Sequence, residues 1–358
     1  MGTLRRLVAP SAENLVFVLF LLFMLIYPQR VDDFGLLSIS QFLAFALLAV
    51  SLALIWGYAG ILSFGQTAFF GVGGYGFGIF ALNYLWPGST LVGIVVGMVA
   101  GAVVAAIIAY FMFYGGVNDV FVGMTTLALT LVLQTFMAQT AGPEWTVGAA
   151  RLNGYNGMYA PQITIGETIL YGKPLVYFYL AIVVVVYLVL RGVTGSRWGY
   201  GLLALRENRV RTETFGYNVK LMQVQVFALA GGVAGLSGVL YTSWGGYIDP
   251  SSMGLAAAVA PVIYVAIGGR TSLTAALIAS MILLKLSQSL ASQADNYALL
   301  IFGTVALVAV LFVPNGFVVT VLQWLDRMIF RRSHWTRSGG AAAPDESVAT
   351  GPERLGQV

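Results

Sequence analysis

The sequence predicts an all-α fold, a polytopic transmembrane helical bundle with about ten crossings. Of the 358 residues 59% are hydrophobic and only 9% are charged, and the mean hydropathy is +0.86. Soluble domains carry about 25% charged residues, so this composition excludes a water-soluble globular class. The apolar residues also fall in long runs, and about 20 of them are enough to cross a bilayer as a helix. The chain is therefore predicted to be an integral membrane protein.

The first expected crossing covers residues 15–27 and follows the basic pair Arg5 and Arg6. A charged start and an apolar middle resemble a secretory signal, but the residues PQR follow where a cleavable signal has small residues. We therefore expect a retained first helix, with residues 1–14 in the cytoplasm.

The third expected crossing begins with an interruption. After a second crossing at residues 34–56, the stretch GYAGILSFGQTAFFGVGGYG is the most glycine-dense part of the chain. Glycine weakens a helix by roughly 1 kcal/mol per residue relative to alanine. We expect a broken or re-entrant segment near Gly57 to Gln66, continuing as a helix to about residue 85. Two further crossings are expected at residues 91–114 and 120–141.

The second half of the chain alternates between polar loops and five more crossings. Residues 142–173 are expected to form an external loop, and residues 192–223 a cytoplasmic one. Residues 326–358 are basic at first and then rich in Gly, Ala and Pro, which predicts a disordered cytoplasmic tail. Residues 15–325 are then the transmembrane domain. Its last five crossings are expected at residues 175–190, 224–244, 256–267 (short for a full span), 273–290 and 297–313.

Charge predicts the orientation of these crossings. Lys and Arg collect in short cytoplasmic loops. Of the 18 basic residues, only Arg30, Arg151 and Lys173 are assigned to the outside, while Lys285 lies within a span. Both termini are therefore expected in the cytoplasm. Lys285 has two interpretations, a coupling-ion site or a side chain that reaches the outer interface.

The loop of residues 192–223 is the densest charge cluster in the chain. Each Arg or Lys at bilayer depth costs at least about 3 kcal/mol, so this loop must lie in water. Within it, Ala204 to Glu213 are expected to form one short amphipathic helix along the membrane surface. Gly216 is expected to end that helix, since glycine adopts positive φ without strain.

Several glycines match a motif that has a simpler explanation. Gly71, Gly73 and Gly76 satisfy G-x-G-x-x-G, but that motif indicates a dinucleotide site only between a strand and a helix. Small residues at helical spacing instead predict close packing of membrane helices. The glycines assigned to helix packing are Gly73, Gly74, Gly231 and Gly235.

Missing motifs narrow the function. The chain has no cysteine and no Walker A loop, and its acidic residues lie mainly in loops or at helix margins. Its one histidine, His334, lies in the basic tail and is interpreted as a surface residue. We expect no catalytic residue, metal or cofactor in this chain, and an energy source in another subunit. A stand-alone secondary carrier or channel for a small neutral solute, and a polytopic membrane enzyme, are the competing classes.

Several segments in combination resemble the LivM-like permease subunits of bacterial branched-chain amino acid and urea ABC importers. They are GYAGILSFGQTAFFGVGGYG, ALRENRVRTETFGYNVKLMQVQVFALAGGVAGLSGVLY, the GGYIDP loop, the IGG near Gly268 and the closing FVPNGF. The resemblance covers about Leu36 to Phe317. It implies an ABC importer permease fold in the inner membrane of a bacterium. It also implies a second permease subunit, two ATPase subunits that hold ATP and Mg, and an external solute-binding protein, with membrane lipid but no nucleic acid as a partner.

The resemblance also implies roles for individual residues. In such permeases the A-L-R-E-x segment followed by G-Y-N docks on the ATPase. Here that coupling loop corresponds to Arg206, Glu207, Asn208, Arg209, Gly216, Tyr217 and Asn218. The translocation route is expected near Ser63, Phe64, Gly65, Gln66 and Thr67. Thr125 and Thr126 are further candidates, for which core packing is an equal alternative.

The resemblance leaves the solute open. Arg270 after Gly268 and Gly269, and RVR before GYN, resemble urea-type members, whereas Gln66 and the general pattern suit amino acid members equally. In this family specificity is set largely by the binding protein, which is a different chain.

Overall fold

The computed structural model describes residues 12–166, 168–293, 303–304 and 316–329. Over these residues the chain is helical apart from its loops and six two-residue strands. Seven helices in this part of the chain are long and apolar enough to cross a membrane. The predicted all-α polytopic fold is therefore confirmed.

Twelve α-helices follow one another along the described residues. A 3-10 turn, Tyr27–Gln29, directly continues the first of them, and a π-helical turn, Leu54–Ala59, continues the second. Two further 3-10 turns lie in the loops. The helices are α1 (Ala12–Ile26), α2 (Asp33–Ala53), α3 (Gln66–Asn83), α4 (Ser89–Tyr114), α5 (Asp119–Gln139), α6 (Lys173–Thr194), α7 (Arg197–Glu207), α8 (Arg209–Thr214), α9 (Val219–Gly245), α10 (Leu255–Gly268), α11 (Leu273–Gln293) and α12 (Phe317–Ile329).

Nine of the ten expected crossings correspond to these helices one by one. The seven long apolar helices are α1 with the 3-10 turn that continues it, α2 with its π-helical turn, α4, α5, α6, α9 and α11. Helix α3 follows the interrupted segment, and α10 is the short crossing, with 14 residues and Pro261 inside it. The expected crossing at residues 297–313 lies outside the described residues, apart from residues 303–304.

Short polar side chains define where several helices begin. Asp32 accepts a hydrogen bond from Gly35 N at the start of α2, at 3.1 Å. Asn218 does the same for Leu221 N at the start of α9, at 3.0 Å. Such caps satisfy backbone N–H groups that have no partner inside the helix.

Three pairs of short antiparallel strands organise the loops at one end of the bundle. The strands β1 (Thr146–Val147) and β2 (Ala150–Arg151) pair with each other, and so do β4 (Thr164–Ile165) and β5 (Thr168–Ile169). The strand β3 (Met158–Tyr159) pairs with β6 (Tyr247–Ile248), which follows α9. This last pair joins the long loop after α5 to the connection between α9 and α10.

Glycines bring α3, α4 and α9 into backbone contact at the centre of the bundle. A Cβ at Gly73 would collide with the carbonyl of Gly235, and one at Gly101 would lie 2.6 Å from the carbonyl of Gly231. Gly74 likewise lies against Thr242 and Ile248. Gly73 lies within α3, with Gly71 and Gly76, and not between a strand and a helix. The G-x-G-x-x-G match is thus part of a helix-packing surface.

Contacts divide the described loops between two ends of the bundle. At the end that we call the basic end, the loop of α7 and α8 contacts Gly57, and Arg191 pairs with Glu13 at 3.6 Å. At the opposite end, the strand end, Asn83 bonds to Val147 O at 2.8 Å. The alternation of crossings predicts the same division. Which end faces the cytoplasm stays a prediction from charge.

One sequence expectation is wrong. Residues 204–213 do not form a single helix, because the chain is extended at Asn208 (φ −160°, ψ 105°) between α7 and α8. The Asn208 side chain accepts a hydrogen bond from Arg211 N at 2.9 Å and so starts the second helix. Gly216 follows α8 with φ of 84°, as expected.

Helix α12 lies at the basic end and was not separated by the sequence analysis. Ala12 N donates to Asp326 Oδ1 at 2.7 Å, and Val319 and Leu322 pack with Ala275. The opposite face of α12 exposes Phe317, Val321, Trp324 and Met328.

Candidate functional site

The interrupted segment after α2 is the first part of the candidate site. Helix α2 widens into the π-helical turn Leu54–Ala59 and ends at Gly60, which has φ of 77°. That conformation favours glycine, because other residues adopt it only with strain. Residues 60–65 are not helical, and α3 begins at Gln66. We call residues 54–65 the break.

The break carries the chain back into the bundle alongside α2. Ser51 Oγ lies 3.0 Å from Gln66 Oε1, so α3 starts beside a residue eight positions before Ala59. Eight helical residues at 1.5 Å each span about 12 Å. Helix α3 therefore begins about 12 Å back along α2 from the end of the π-helical turn. Non-helical backbone at membrane depth is tolerated only where it is buried in protein or lines a cavity.

Two threonines of α5 hold the break in place. Phe64 N donates to Thr126 Oγ1 at 3.1 Å, and Thr130 Oγ1 donates to Phe64 O at 3.3 Å. Within the break, Gly65 N donates to Ser63 Oγ at 3.1 Å. The side chains of Thr126 and Ser63 are fully buried. Thr125, the other candidate on α5, is exposed on another face of the helix.

Two buried polar groups at the start of α3 have no partner in the described part of the chain. They are Gln66 Nε2 and Thr67 Oγ1. A buried polar group without a hydrogen bond costs about 1–3 kcal/mol, and most such groups in proteins are paired. These side chains could therefore offer hydrogen bonds to a polar solute.

Ser51 and Thr130 belong to this site but were missed by the sequence analysis. Both lie inside long apolar helices, where a hydroxyl group breaks the apolar pattern. That pattern is a usable signal, yet it recurs at many positions. It cannot separate a hydroxyl that holds the break from one that bonds to its own helix, as Ser40 does to Leu36 O.

The loop of α7 and α8 is the second part of the candidate site. Of its predicted residues, Glu207 is 65% exposed, and Arg209 pairs with Glu213 at 3.7 Å. Tyr217 is also exposed. Asn208 and Asn218 cap α8 and α9.

Two apolar side chains of this loop are highly exposed. Val210 is 70% exposed and Phe215 is 74% exposed, among the charged residues of α8. Exposed apolar groups with a polar rim are typical of protein contact surfaces. We call Val210, Phe215 and the exposed charges of α8 the loop surface.

Arg206 connects the two parts of the site. Its Nη1 donates to Gly57 O at 2.6 Å, and its side chain is only 21% exposed. Its Nη2 lies 3.0 Å from Glu207 Oε1. The structure thus places Arg206 between the loop and the break, while its neighbour Glu207 faces outward.

Comparison with known proteins gives a family match over most of the chain. Residues 36–311 match the family described as "Branched-chain amino acid transport system / permease component". The match includes the break and the loop of α7 and α8.

The curated relatives are more distant. The chain is 26% identical over 113 residues to the high-affinity branched-chain amino acid transport system permease protein LivM of Escherichia coli (strain K12). The LivM protein of Salmonella typhimurium (strain LT2) gives the same identity over the same length. The aligned part is 32% of this chain and only 26% of each relative. No solved structure matches the chain.

Proposed function

Because this chain belongs to the family of permease components of branched-chain amino acid transport systems, we propose that it is the permease subunit of a binding-protein-dependent ABC importer. Separate ATPase subunits would supply the energy. The solute would be a branched-chain amino acid, urea or a related small polar molecule.

The contact between Arg206 and Gly57 is the observation that carries this proposal within the family. An importer driven from outside its permease needs a surface that receives the partner and a connection from that surface to the solute route. Here the loop surface lies beside Arg206, and Arg206 bonds to the break at 2.6 Å. A displacement of the loop can therefore reach buried backbone inside the bundle.

The proposed solute route passes the break. Ser63, Gln66 and Thr67 supply neutral hydroxyl and amide groups, and all three side chains are buried. Neutral donors and acceptors suit the amide groups of urea and the polar end of an amino acid. The names of the LivM relatives favour branched-chain amino acids, but their aligned part is short, so urea is kept as the second solute.

The proposed importer function also predicts the partners. A second permease subunit would complete the route, two ATPases would dock on the loop surface, and an external binding protein would deliver the solute at the strand end. Exposed Val210 and Phe215 next to the Arg209–Glu213 pair support a protein partner for the loop surface. The assembly would reside in the inner membrane of a bacterium, with ATP and Mg bound by the ATPases.

Reconstitution tests the proposal. The chain would be purified with its associated subunits, placed in liposomes with ATP, and supplied with leucine, isoleucine, valine or urea. We expect ATP-dependent accumulation of one solute class by the complete assembly. Accumulating a solute tenfold requires about 1.4 kcal/mol, which the ATPase subunits would supply.

The matched control is the single chain in the same liposomes. It should give no accumulation with or without a pH or sodium gradient. Accumulation by the single chain under an ion gradient would contradict the proposal and favour the secondary carrier. Lys285, which is exposed on α11 and lies 3.4 Å from Gln288, would then be the first residue to test.

A further inference from the structure

Arg206 differs from the neighbouring charged residue Glu207 because its side chain bonds to backbone inside the bundle. Its Nη1 donates to Gly57 O at 2.6 Å. Its methylene groups cover Gly60, where a Cβ would lie 2.6 Å from Arg206 Cγ. One side chain therefore contacts the break both in the π-helical turn and at the left-handed residue that ends it.

The chemistry of a helix end explains this contact. The last carbonyls of a helix have no partner within it, and Gly57 O is one of the last carbonyls before the chain turns away at Gly60. The guanidinium supplies a donor in place of the missing next turn. Its positive charge also suits the negative end of the helix dipole.

The other side of the π-helical turn is closed. A Cβ at Gly57 would collide with the carbonyl of Arg270, and the Arg270 guanidinium lies 5.8 Å from the centre of the Trp56 ring. The turn is thus held between α7 on one side and the α10–α11 connection on the other. Helix α7 is therefore one of the neighbours that fix the position of the turn.

The rest of the break is attached to membrane helices. Thr126 and Thr130 of α5 bond to Phe64, and Ser51 of α2 contacts Gln66. The loop of residues 192–223 contacts the break through Arg206 and through Thr194, whose side chain bonds to that of Tyr58. Arg206 is the connection that belongs to α7, so a displacement of α7 can reach the break through this side chain.

We propose that Arg206 is a positioning residue. It transmits displacement of α7 to the break and so to Ser63, Gln66 and Thr67. This inference rests on the proposed function, since it assumes that a partner ATPase moves the loop. It separates Arg206 from the exposed residues of the loop. Those residues would bind the partner, whereas Arg206 acts inside the permease.

The first test needs only the purified full chain. The chain has no cysteine, and Ser63 is fully buried, so S63C gives one reporter inside the break. Adding Arg206→Gln should raise the rate of maleimide labelling at this position about tenfold or more, as expected for loss of one charged hydrogen bond. Arg206→Lys keeps a charged donor and should give an intermediate rate.

The matched control is Arg197→Gln, which removes an exposed arginine from the same helix. It should leave the labelling rate of S63C unchanged. Only variants that elute as a single folded species are compared. An unchanged labelling rate with Arg206→Gln would overturn the proposed role of Arg206, whatever the chain transports.

The second test uses the complete ATPase-containing assembly. Arg206→Gln should lower solute uptake about tenfold or more while ATP hydrolysis stays near the wild-type rate. A parallel loss of ATP hydrolysis and solute uptake would place Arg206 in the docking surface and overturn its proposed role inside the permease. Unchanged uptake would overturn it as well. An assembly that moves none of the solutes would contradict the proposed function. The labelling test would still show whether Arg206 holds the break in place.

Discussion

At the scale of single residues, glycines set how closely the central helices approach. Gly73 of α3, Gly101 of α4 and Gly235 of α9 meet at backbone distance. In lipid, apolar side chains gain nothing by leaving one apolar environment for another. Close packing of backbones therefore provides much of the attraction between helices.

The first prediction tests this packing with one methyl group. Gly73→Ala should destabilise the chain by about 1–3 kcal/mol, because its Cβ would collide with backbone that cannot rotate away. Gly192→Ala is the control, since nothing lies within 4 Å of a Cβ there. Thermal unfolding in detergent, followed by the loss of the monodisperse peak, measures both. Equal stability of the two variants would contradict the glycine contact.

Glu207 represents the outward-facing residues of the loop, since it is 65% exposed, whereas the neighbouring Arg206 is 21% exposed. The second prediction is that Glu207→Arg abolishes uptake by the complete transporter without impairing membrane insertion. A charge that faces a like charge at a subunit contact costs roughly 3 kcal/mol or more, which weakens association over a hundredfold. Co-purification of the ATPase and solute uptake measure the effect.

A charge reversal at the other end of the bundle serves as its control. Glu144→Arg changes an exposed residue of the loop after α5, and it should leave ATPase association intact. Wild-type uptake with Glu207→Arg would mean that the loop is only a solvated connector.

At the scale of elements, the break depends on α5 as much as on its own sequence. Helical structure ends at Gly60, and Thr126 and Thr130 hydrogen-bond to the backbone of Phe64 before α3 begins. The hydroxyl of Thr126 also donates to its own helix, to Val122 O at 2.8 Å. A side chain that satisfies backbone of both elements fixes their relative position.

The third prediction concerns this attachment. Thr126→Val keeps the shape of the side chain but leaves Phe64 N without its acceptor, at a cost of about 1–3 kcal/mol. Hydrogen exchange of the peptide containing residues 60–66 should become faster by about tenfold or more. Thr125→Val, on the exposed neighbour, should not change this exchange. Equal exchange in both variants would show that α5 does not hold the break.

At the scale of the whole molecule, the two ends of the bundle have different chemistry. The basic end gathers Arg191, Glu13, Ser272 and Thr274 into one network, in which Glu13 accepts bonds from Ser272 and Thr274 at 2.7 and 3.0 Å. This network attaches α1 to α6 and α11. The strand end is built from short strand pairs instead.

The fourth prediction assigns these ends to the two sides of the membrane. Single cysteines at Tyr155, which is 80% exposed, and at Tyr200, which is 52% exposed, would be treated with an impermeant thiol reagent in intact cells. The cysteine at Tyr155 should react and the one at Tyr200 should not, because basic loops stay in the cytoplasm. Permeabilised cells, in which both should react, are the control. Labelling of the cysteine at position 200 in intact cells would show that the basic end faces outside and would contradict the prediction.

Several features of this protein follow from its sequence alone. The positions of the crossings could be predicted because transfer into hydrocarbon depends on the composition of each segment, largely without regard to its neighbours. The interruption near Gly57 to Gln66 and the positive φ at Gly216 could be predicted because glycine and its conformational freedom are local properties.

Only the tertiary structure decided which way individual side chains point. Arg206 and Glu207 are adjacent and equally polar, yet one bonds to Gly57 O and the other is exposed. Thr125 and Thr126 are identical residues, and only Thr126 holds the break. The division of residues 204–213 at Asn208 was missed because asparagine can cap a helix or lie within one. A helix has several faces, and the neighbours that surround it in the fold determine which face is buried.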